Sequence, residues 1–196
     1  MSNSKTVPIL LGVSLIASIG VYLAYRNRSK IKSIYYSTMA TLQNKTWDYH
    51  TNNRINTLHP RIREKVTEFI NRAEQELGIK LRITSALRTW DEQATLYNKG
   101  RSIPGKIVTW AGPGQSYHNY GLAFDVVEIK NGRAIWDNPR WSEIGRLGKR
   151  LGFEWGGDWT RKLDRPHFQM TFGKHHSQLA VLYRSGNKTG EYINIA

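Results

Sequence analysis

The dipeptide Asn131-Gly132 constrains the fold of this chain more than any other feature, because it separates two short apolar runs. An Asn-Gly pair favours the tight two-residue turn that joins the strands of a β-hairpin. The sequence therefore predicts a strand over residues 124–129 that returns through residues 134–136. Strands joined by such a turn run antiparallel, so the pattern excludes a fold built only from parallel strands.

The other periodic segments predict helices and strands without the regular alternation that builds a parallel sheet. Apolar residues at helical spacing predict helices over residues 60–77 and 141–151. The segment Thr89-Trp90-Asp91-Glu92 has the signature of a capping box, which predicts a further helix start. Short strands are predicted over residues 81–85 and 167–172. The predicted fold class is therefore α+β, with a small antiparallel sheet flanked by helices.

A membrane helix is predicted to precede this fold. Residues 7–25 contain no charged side chain and are about as long as a helix that crosses a bilayer. A removable signal peptide is the alternative, but no small-residue cleavage site precedes the basic segment that begins at Arg26. We predict an uncleaved anchor whose many small residues weaken its retention in lipid.

Changes in composition divide the chain into four segments. Residues 1–25 form the membrane anchor or uncleaved signal, and residues 26–54, which show no sustained period, form a basic tether. The folded domain is expected to occupy residues 55–174. Residues 175–196 form a C-terminal tail that packs on this domain.

The composition limits which metals and partners the protein can use. None of the 196 residues is Cys, so any transition metal must be held by His, Asp or Glu. The net charge of +14 favours polyanionic partners such as nucleic acid, anionic lipid or an acidic cell-wall polymer. Charge alone does not choose among these partners.

Polar residues with metal-binding chemistry lie at the start of the predicted hairpin. His118 is in the turn that precedes the strand carrying Asp125. Because side chains alternate along a strand, Gly121, Ala123 and Asp125 share one face. The two small residues are expected to leave room for a ligand above that face.

The last predicted strand carries a second polar cluster. His167 and Gln169 share one face of this strand, and Phe168 lies on the other face. We expect the phenylalanine face to belong to the core. His167 then lies on the same open face of the sheet as Asp125.

These clusters together predict a catalytic zinc site. Such a site uses three protein ligands and leaves a position for water, and His118, Asp125 and His167 supply a suitable set. Asp164 then remains free to take a proton from the water. Arg88, which follows a predicted strand, can stabilise the negative charge of a tetrahedral intermediate.

The chain resembles the zinc peptidases of bacterial cell walls over roughly residues 55–172. That group includes D-alanyl-D-alanine carboxypeptidases and dipeptidases, and the L-alanyl-D-glutamate endopeptidases of phage endolysins and sporulating bacteria. The segments that carry the resemblance are Ser85-Ala86-Leu87-Arg88-Thr89, Ser116-x-His118-x-x-Gly121-x-Ala123-x-Asp125 and Asp164-x-Pro166-His167-Phe168-Gln169.

The resemblance implies a role for each matching residue. It places the zinc ligands at His118, Asp125 and His167, the general base at Asp164, and a transition-state arginine at Arg88. It also places pocket or supporting residues at two further positions, Ser116 and Gln169. Aspartate rather than glutamate at the base position favours the endopeptidase branch.

The predicted function is a zinc metallopeptidase that hydrolyses peptidoglycan stem peptides between L-alanine and D-glutamate, with one zinc ion as cofactor. The alternatives are a D,D- or L,D-carboxypeptidase on the same scaffold, or a catalytically silent domain that binds cell wall or nucleic acid. The expected partners are the peptidoglycan peptide and, through residues 7–25, a membrane. No specific nucleic acid partner is expected, and the protein is predicted to be a monomer.

The predicted location contains a conflict. The basic residues that follow the anchor, from Arg26 to Lys32, favour retention of the C-terminal side in the cytoplasm. A cell-wall substrate requires the catalytic domain to face the periplasm or wall, and that placement is the one we predict.

Three other residues near the motifs are candidates for the cleft. Glu154 is expected to line it without acting as the base. Trp155 and Trp159 could stack on substrate, although filling the core is the commoner use of tryptophan.

Overall fold

The computed structural model describes residues 27, 28, 30 and 45–195, and the folded unit over these ranges is the one from Lys45 onward. The predicted membrane helix at residues 7–25 lies outside the described residues. In the part of the chain that is described, no helix combines the length and apolar character needed to span a bilayer.

The unit consists of five helices and seven short strands. The helices are α1 (Tyr49–Thr57), α2 (Pro60–Leu77), α3 (Trp90–Asn98), α4 (Trp141–Arg150) and α5 (His176–Arg184). The strands are β1 (Leu81–Ser85), β2 (Ala123–Lys130), β3 (Arg133–Ile135), β4 (Glu154–Trp155), β5 (His167–Gln169), β6 (Lys188–Thr189) and β7 (Tyr192–Ile193). The α+β class predicted from the sequence is confirmed.

Five strands form one antiparallel sheet in the order β1-β2-β5-β4, and β3 pairs with β2. The predicted hairpin between β2 and β3 is present, with Lys130 opposite Arg133. Asn131 and Gly132 both have positive φ, at 52° and 73°, which is what the tight hairpin turn requires. The two-stranded sheet of β6 and β7 lies near the C-terminus.

One face of the main sheet is covered by an aromatic core. Phe69 of α2 packs against Phe124 of β2 and Phe168 of β5, with ring centroids 5.8 and 4.8 Å apart. All three side chains are fully buried. The predicted core face of the last strand is thus confirmed, and the opposite face of β2 and β5 is left for polar residues.

The folded unit begins earlier than the predicted boundary at residue 55. Helix α1 begins within the segment assigned to the tether, and Asp48 caps its first turn by accepting from the Thr51 amide. The same carboxylate pairs with Arg82 of β1 through two bonds of 2.9 Å. Because the Asp48–Arg82 pair spans 34 residues, a local hydrophobic period could not indicate it.

The C-terminal segment packs on the folded unit. Ile193 and Ile195 are buried with the core. The Nε2–H of His59, at the start of α2, donates to the carbonyl of Ile193 at 3.0 Å. These contacts fix residues near the C-terminus against the end of the sheet that carries the polar cluster.

The last strand is shorter than predicted. β5 ends at Gln169, whereas the alternating pattern extended to residue 172. Phe172 has a φ of 49°, which turns the chain away from the sheet.

Candidate active site

The register between β2 and β5 brings two of the predicted site residues together. Asp125 lies directly opposite His167, and Ala123 lies opposite Gln169. Residues that are opposite in an antiparallel pair project from the same face. The open face of the sheet therefore carries an acid, an imidazole and an amide within one small area, as predicted.

His118 reaches the same area from a 3₁₀ turn that spans Tyr117–Tyr120. Ser116 caps this turn, and its Oγ accepts from the His118 amide at 3.3 Å. Gly121 ends the turn in the left-handed conformation, with φ of 66°. Ser116 thus supports the His118 turn and also lines the cleft.

The expectation for Gly121 was wrong. It does not share the open face with Asp125, because it lies in the turn before β2 begins. A Cβ at this position would lie 2.7 Å from the amide nitrogen of His59, and that amide donates to the Gly121 carbonyl at 2.9 Å. Gly121 therefore allows the start of α2 to approach the His118 turn, rather than making room for a ligand.

Three ligand atoms converge at the centre of the site. His118 Nε2 lies 3.3 Å from Asp125 Oδ1 and 3.3 Å from His167 Nδ1. His167 Nδ1 lies 3.0 Å from Asp125 Oδ1. Both imidazoles are buried, and the carboxylate is partly exposed to the cleft. We call these three residues the triad.

The outer hydrogen bonds fix which ring nitrogens of the triad carry protons. His118 Nδ1 lies 2.7 Å from the carbonyl of Ala86, which can only accept, so this nitrogen is the donor. His167 Nε2 donates to Gln169 Oε1 at 3.0 Å. The remaining nitrogens, His118 Nε2 and His167 Nδ1, then present lone pairs to Asp125.

The orientation of Gln169 is itself determined by a neighbour. Its Nε2 donates to Glu154 Oε2 at 2.9 Å, and a carboxylate can only accept, so Oε1 must face His167. Glu154 also accepts from the Thr171 hydroxyl at 2.7 Å. Glu154 was predicted to line the cleft, but it is not among the lining residues. It lies behind Gln169 and acts on His167 through that amide.

This donor set fits a divalent cation. Two imidazole lone pairs and one carboxylate oxygen within 3.0–3.3 Å of one another repel unless a positive charge lies between them. Ligands of this kind suit zinc, and ligating histidines usually donate their other N–H to an oxygen, as both do here. Among the described residues, the triad is the group of His, Asp and Glu side chains that could hold a metal.

Without a cation, Asp125 and the two histidines stabilise one another's charged forms. Burial by itself would raise the pKa of Asp125, but the neighbouring His118 and His167 outweigh burial and hold that pKa well below its usual range. Burial lowers the pKa of His167, yet the hydrogen bond and charge of Asp125 prevail and raise it. Asp125 therefore stays ionised to a lower pH than an ordinary aspartate.

Asp164 lies at the edge of the same cleft. Its amide donates to the carbonyl of Gly156 at 3.0 Å, and its own carbonyl accepts from the His167 amide at 3.2 Å. Its carboxylate makes no hydrogen bond or ion pair with residues in the described ranges. Desolvation, together with the negative charge of Asp125, raises the pKa of Asp164.

Arg88 borders the triad on another side. Its Nη2 lies 3.9 Å from Asp125 Oδ2 and donates to Ser85 Oγ at 2.9 Å. Its Nη1 donates at 2.8 Å to Gln93, a fully buried side chain that also donates to the carbonyl of Ala111. Gln93 was given no role from the sequence, although it lies in the helix opened by the predicted capping box.

The two tryptophans near the site have different environments. Trp155 is 8% exposed and belongs to the core, with its Nε1–H donated to the carbonyl of Arg165. Trp159 is 36% exposed and lies against His167, with ring centroids 5.1 Å apart. Trp159 therefore belongs to the wall of the cleft.

The triad, Arg88 and Asp164 all line one open cleft of about 870 Å³. This volume lies in the range of small-molecule and peptide sites. The predicted site residues Ser116 and Gln169 line the same cleft. All seven residues predicted for the site are therefore brought together.

A family model described as D-alanyl-D-alanine carboxypeptidase matches residues 110–170, a segment that contains the triad and Asp164. The peptidoglycan L-alanyl-D-glutamate endopeptidase CwlK of Bacillus subtilis (strain 168) is 42% identical over 123 residues, which are 58% of this chain and 73% of that protein.

Two further proteins are similar over part of the chain. The L-alanyl-D-glutamate peptidase of a Listeria phage is 36% identical over 99 residues, 48% of this chain and 32% of the phage protein. The crystal structure of the Serratia marcescens L-Ala D-Glu endopeptidase ChiX superposes with a TM-score of 0.49 and 23% identity, covering 67% of this chain and 93% of that structure.

Proposed function

Because the chain belongs to the family of bacterial cell-wall peptidases that includes D-alanyl-D-alanine carboxypeptidases and L-alanyl-D-glutamate endopeptidases, we propose that it hydrolyses peptidoglycan stem peptides between L-alanine and D-glutamate. The observation that carries this proposal is the convergence of three lone pairs at the triad. They converge in a chain that is 42% identical to an endopeptidase with that specificity.

The proposed cofactor is one zinc ion, held by His118, Asp125 and His167. When bound, zinc would polarise the scissile carbonyl and make water a stronger acid. The surrounding residues hold this site ready for a cation. Ala86 and Gln169 accept the outer protons of the two imidazoles, so neither ring has to change its tautomer.

Asp164 is the proposed general base. Its carboxylate is free of hydrogen bonds within the described residues and borders the same cleft as the triad. The raised pKa of this carboxyl group makes it a better proton acceptor than an ordinary aspartate. The proton that it takes from water is then delivered to the leaving amine of D-glutamate.

Arg88 is the proposed partner of the carbonyl oxygen. A guanidinium can donate to an oxygen that gains negative charge in the transition state. The bonds to Gln93 and Ser85 hold the guanidinium at the edge of the triad. No rearrangement of the side chain is then needed when the charge develops.

A carboxypeptidase that removes a terminal D-alanine is the second candidate. The family model that matches residues 110–170 carries that description, and the site chemistry would serve either bond. The residue at position 164 favours the endopeptidase, because aspartate rather than glutamate at the base position is the pattern of the endopeptidase branch.

We propose a location outside the cytoplasm, because peptidoglycan is there. Residues 7–25 would tether the domain to the membrane, and the domain would act as a monomer. A reporter that is active only in the periplasm, fused to the C-terminus, tests the placement. Signal from a cytoplasm-only reporter instead would contradict it.

Digestion of purified peptidoglycan by the full chain in detergent tests the activity. We expect cleavage that a chelator abolishes and added zinc restores, with mass spectrometry identifying new L-alanine and D-glutamate ends. Release of terminal D-alanine would favour the carboxypeptidase. An absence of zinc-dependent cleavage would contradict both and favour a silent binding domain.

A further inference from the structure

A second cavity adjoins the active-site cleft on the side of Arg88. It has a volume of about 550 Å³ and shares Arg88 and Leu96 with the cleft. Helix α1 contributes Arg54 to its wall, and Lys99 contributes from the end of α3. We call it the basic pocket. The two shared residues place the basic pocket directly beside the cleft that holds the triad.

The basic pocket carries positive charge that the fold does not neutralise. The side chains of Arg54 and Lys99 make no hydrogen bond or ion pair with residues of the described ranges. Glu92 is the acidic residue in the wall, and its single negative charge is outnumbered by three cations, Arg54, Arg88 and Lys99. The pocket therefore attracts an anion.

The opposite end of the cleft has a different character. A cavity of about 670 Å³ there shares Trp159 and Asp164 with the cleft and is lined by both polar and apolar side chains, such as Gln115 and Leu163. Its cation, Lys162, lies over the ring of Trp110 at 4.7 Å, and Asp164 supplies the opposite charge in the same wall. The two ends of the cleft thus differ in charge.

The peptide bond that we propose to be cleaved also differs in charge between its two sides. Alanine contributes a methyl group on the acyl side. D-glutamate has two carboxyl groups, and only one of them can continue the peptide. The leaving side therefore carries a second carboxyl group close to the bond that is cut.

Peptide geometry places this group on the side of Arg88. In a planar trans peptide, the carbonyl oxygen and the Cα of the next residue lie on the same side of the C–N bond. If Arg88 holds the carbonyl oxygen, the D-glutamate backbone begins on that side too. Its free carboxylate is then on the side of the cleft that adjoins the basic pocket.

We propose that the basic pocket binds the free carboxylate of the D-glutamate residue and thereby fixes the direction of the substrate in the cleft. This inference rests on the proposed endopeptidase function. It makes Arg54 and Lys99 specificity-determining residues that distinguish a free carboxylate from its amide.

The test compares two soluble muropeptides that differ only in whether this carboxyl group of D-glutamate is free or amidated. We expect the full-length protein with zinc to cleave the acid with a kcat/KM about tenfold higher, the factor expected for one charge-assisted hydrogen bond. The double variant Arg54→Met/Lys99→Met should lose this preference. Its kcat/KM should fall for the acid and stay unchanged for the amide. The variant Lys99→Arg should retain it.

A matched double variant controls for the loss of charge. Lys130→Met/Arg133→Met removes one Lys and one Arg from the hairpin, where neither lines the cleft, and should keep the preference for the acid. Thermal unfolding of each variant verifies that it is folded.

Four outcomes would overturn the inference. Equal cleavage of both peptides by the wild type, or faster cleavage of the amide, would leave the endopeptidase function standing without this specificity. If the Arg54→Met/Lys99→Met variant cleaved both peptides more slowly by the same factor, the endopeptidase function would also stand without this specificity. Failure of the wild type to cleave either peptide would instead remove the proposed function, and this inference with it.

Discussion

The two faces of strands β2 and β5 are made by adjacent residues and follow different physical rules. Phe124 and Phe168 face the core, where their rings stack with centroids 5.7 Å apart. Asp125 and His167, each one residue away, face the cleft at a separation of 3.0 Å. The apolar face gains stability from every atom that it buries. The polar face holds groups that repel each other without a cation.

This difference indicates that stability and activity depend on separate sets of side chains on the same strands. Substitutions on the apolar face should change the free energy of unfolding, and those on the polar face should change catalysis or metal affinity. The following predictions are ordered by expected size, and each would weaken this separation if it failed.

Asp164→Asn has the largest expected effect. Removal of the general base should lower kcat by about 10²–10⁴-fold, while zinc binding and the free energy of unfolding stay close to those of the wild type. Assays on peptidoglycan, zinc titration and urea unfolding measure the three quantities.

Asp158→Asn is the matched control for that prediction. Asp158 pairs with Lys149 at 2.7 Å and lies on the same loop without lining the cleft. Its loss should leave activity unchanged. Equal activity of the Asp164→Asn variant and the wild type would rule out Asp164 as the base.

Phe168→Ala tests the apolar face. Loss of a fully buried phenylalanine should reduce the free energy of unfolding by about 3–5 kcal/mol, as measured by urea denaturation. Val181→Ala, at a side chain that is 63% exposed, should change it by less than about 0.5 kcal/mol. A loss below about 1 kcal/mol for Phe168→Ala would show that the aromatic cluster does not carry the stability.

Glu154→Ala tests the outer hydrogen bonds of the polar face. Without Glu154, the Gln169 amide is free to flip and can present its N–H to His167, so zinc affinity should fall by about 10–100-fold. Thr171→Val removes the other hydrogen bond of the same carboxylate and should leave the affinity nearly unchanged. Equal zinc affinity in the Glu154→Ala variant and the wild type would contradict the role of Glu154 in orienting Gln169 toward His167.

The pH dependence of stability gives the smallest effect. Burial lowers the pKa of His59 below its ordinary value of 6.5, so the unfolded chain binds a proton more readily than the folded one. Stability from this group is therefore present above pH 6.5 and decreases as the pH falls toward the folded pKa.

His59→Asn should remove that contribution, because asparagine can still cap α2 but does not titrate. The difference in unfolding free energy between wild type and variant, measured from pH 7.5 down to pH 5, should shrink as the pH falls. A difference that is constant over this range would contradict the assignment.

Features with a local signal could be predicted from the sequence. The Asn131-Gly132 turn, the Thr89 capping box and the strand at residues 81–85 depend on neighbours within a few positions, and all three were confirmed. The alternation of His167 and Phe168 placed each on its correct face. The proximity of the three triad residues followed from these elements together with the motifs at residues 116–125 and 164–169.

Features that depend on distant partners could not be predicted. Helix α1 is fixed by the bond between Asp48 and Arg82, and no periodic pattern marks it. The amide orientation of Gln169 depends on Glu154 in another strand. Arg54 lines the basic pocket only because α1 folds against β1, so nothing in the local sequence distinguished it from other basic residues.

The close approach at Gly121 has a consequence for how relatives of this protein should be aligned. Because a side chain there would collide with the backbone of His59, the residue is tied to the packing of two chain segments and not to the chemistry of the cleft. A relative that has lost catalytic activity but keeps the fold should therefore retain glycine at this position, even where His118 and His167 have been replaced. Glycine at this position would then report on common ancestry, and the residues of the cleft would report on activity.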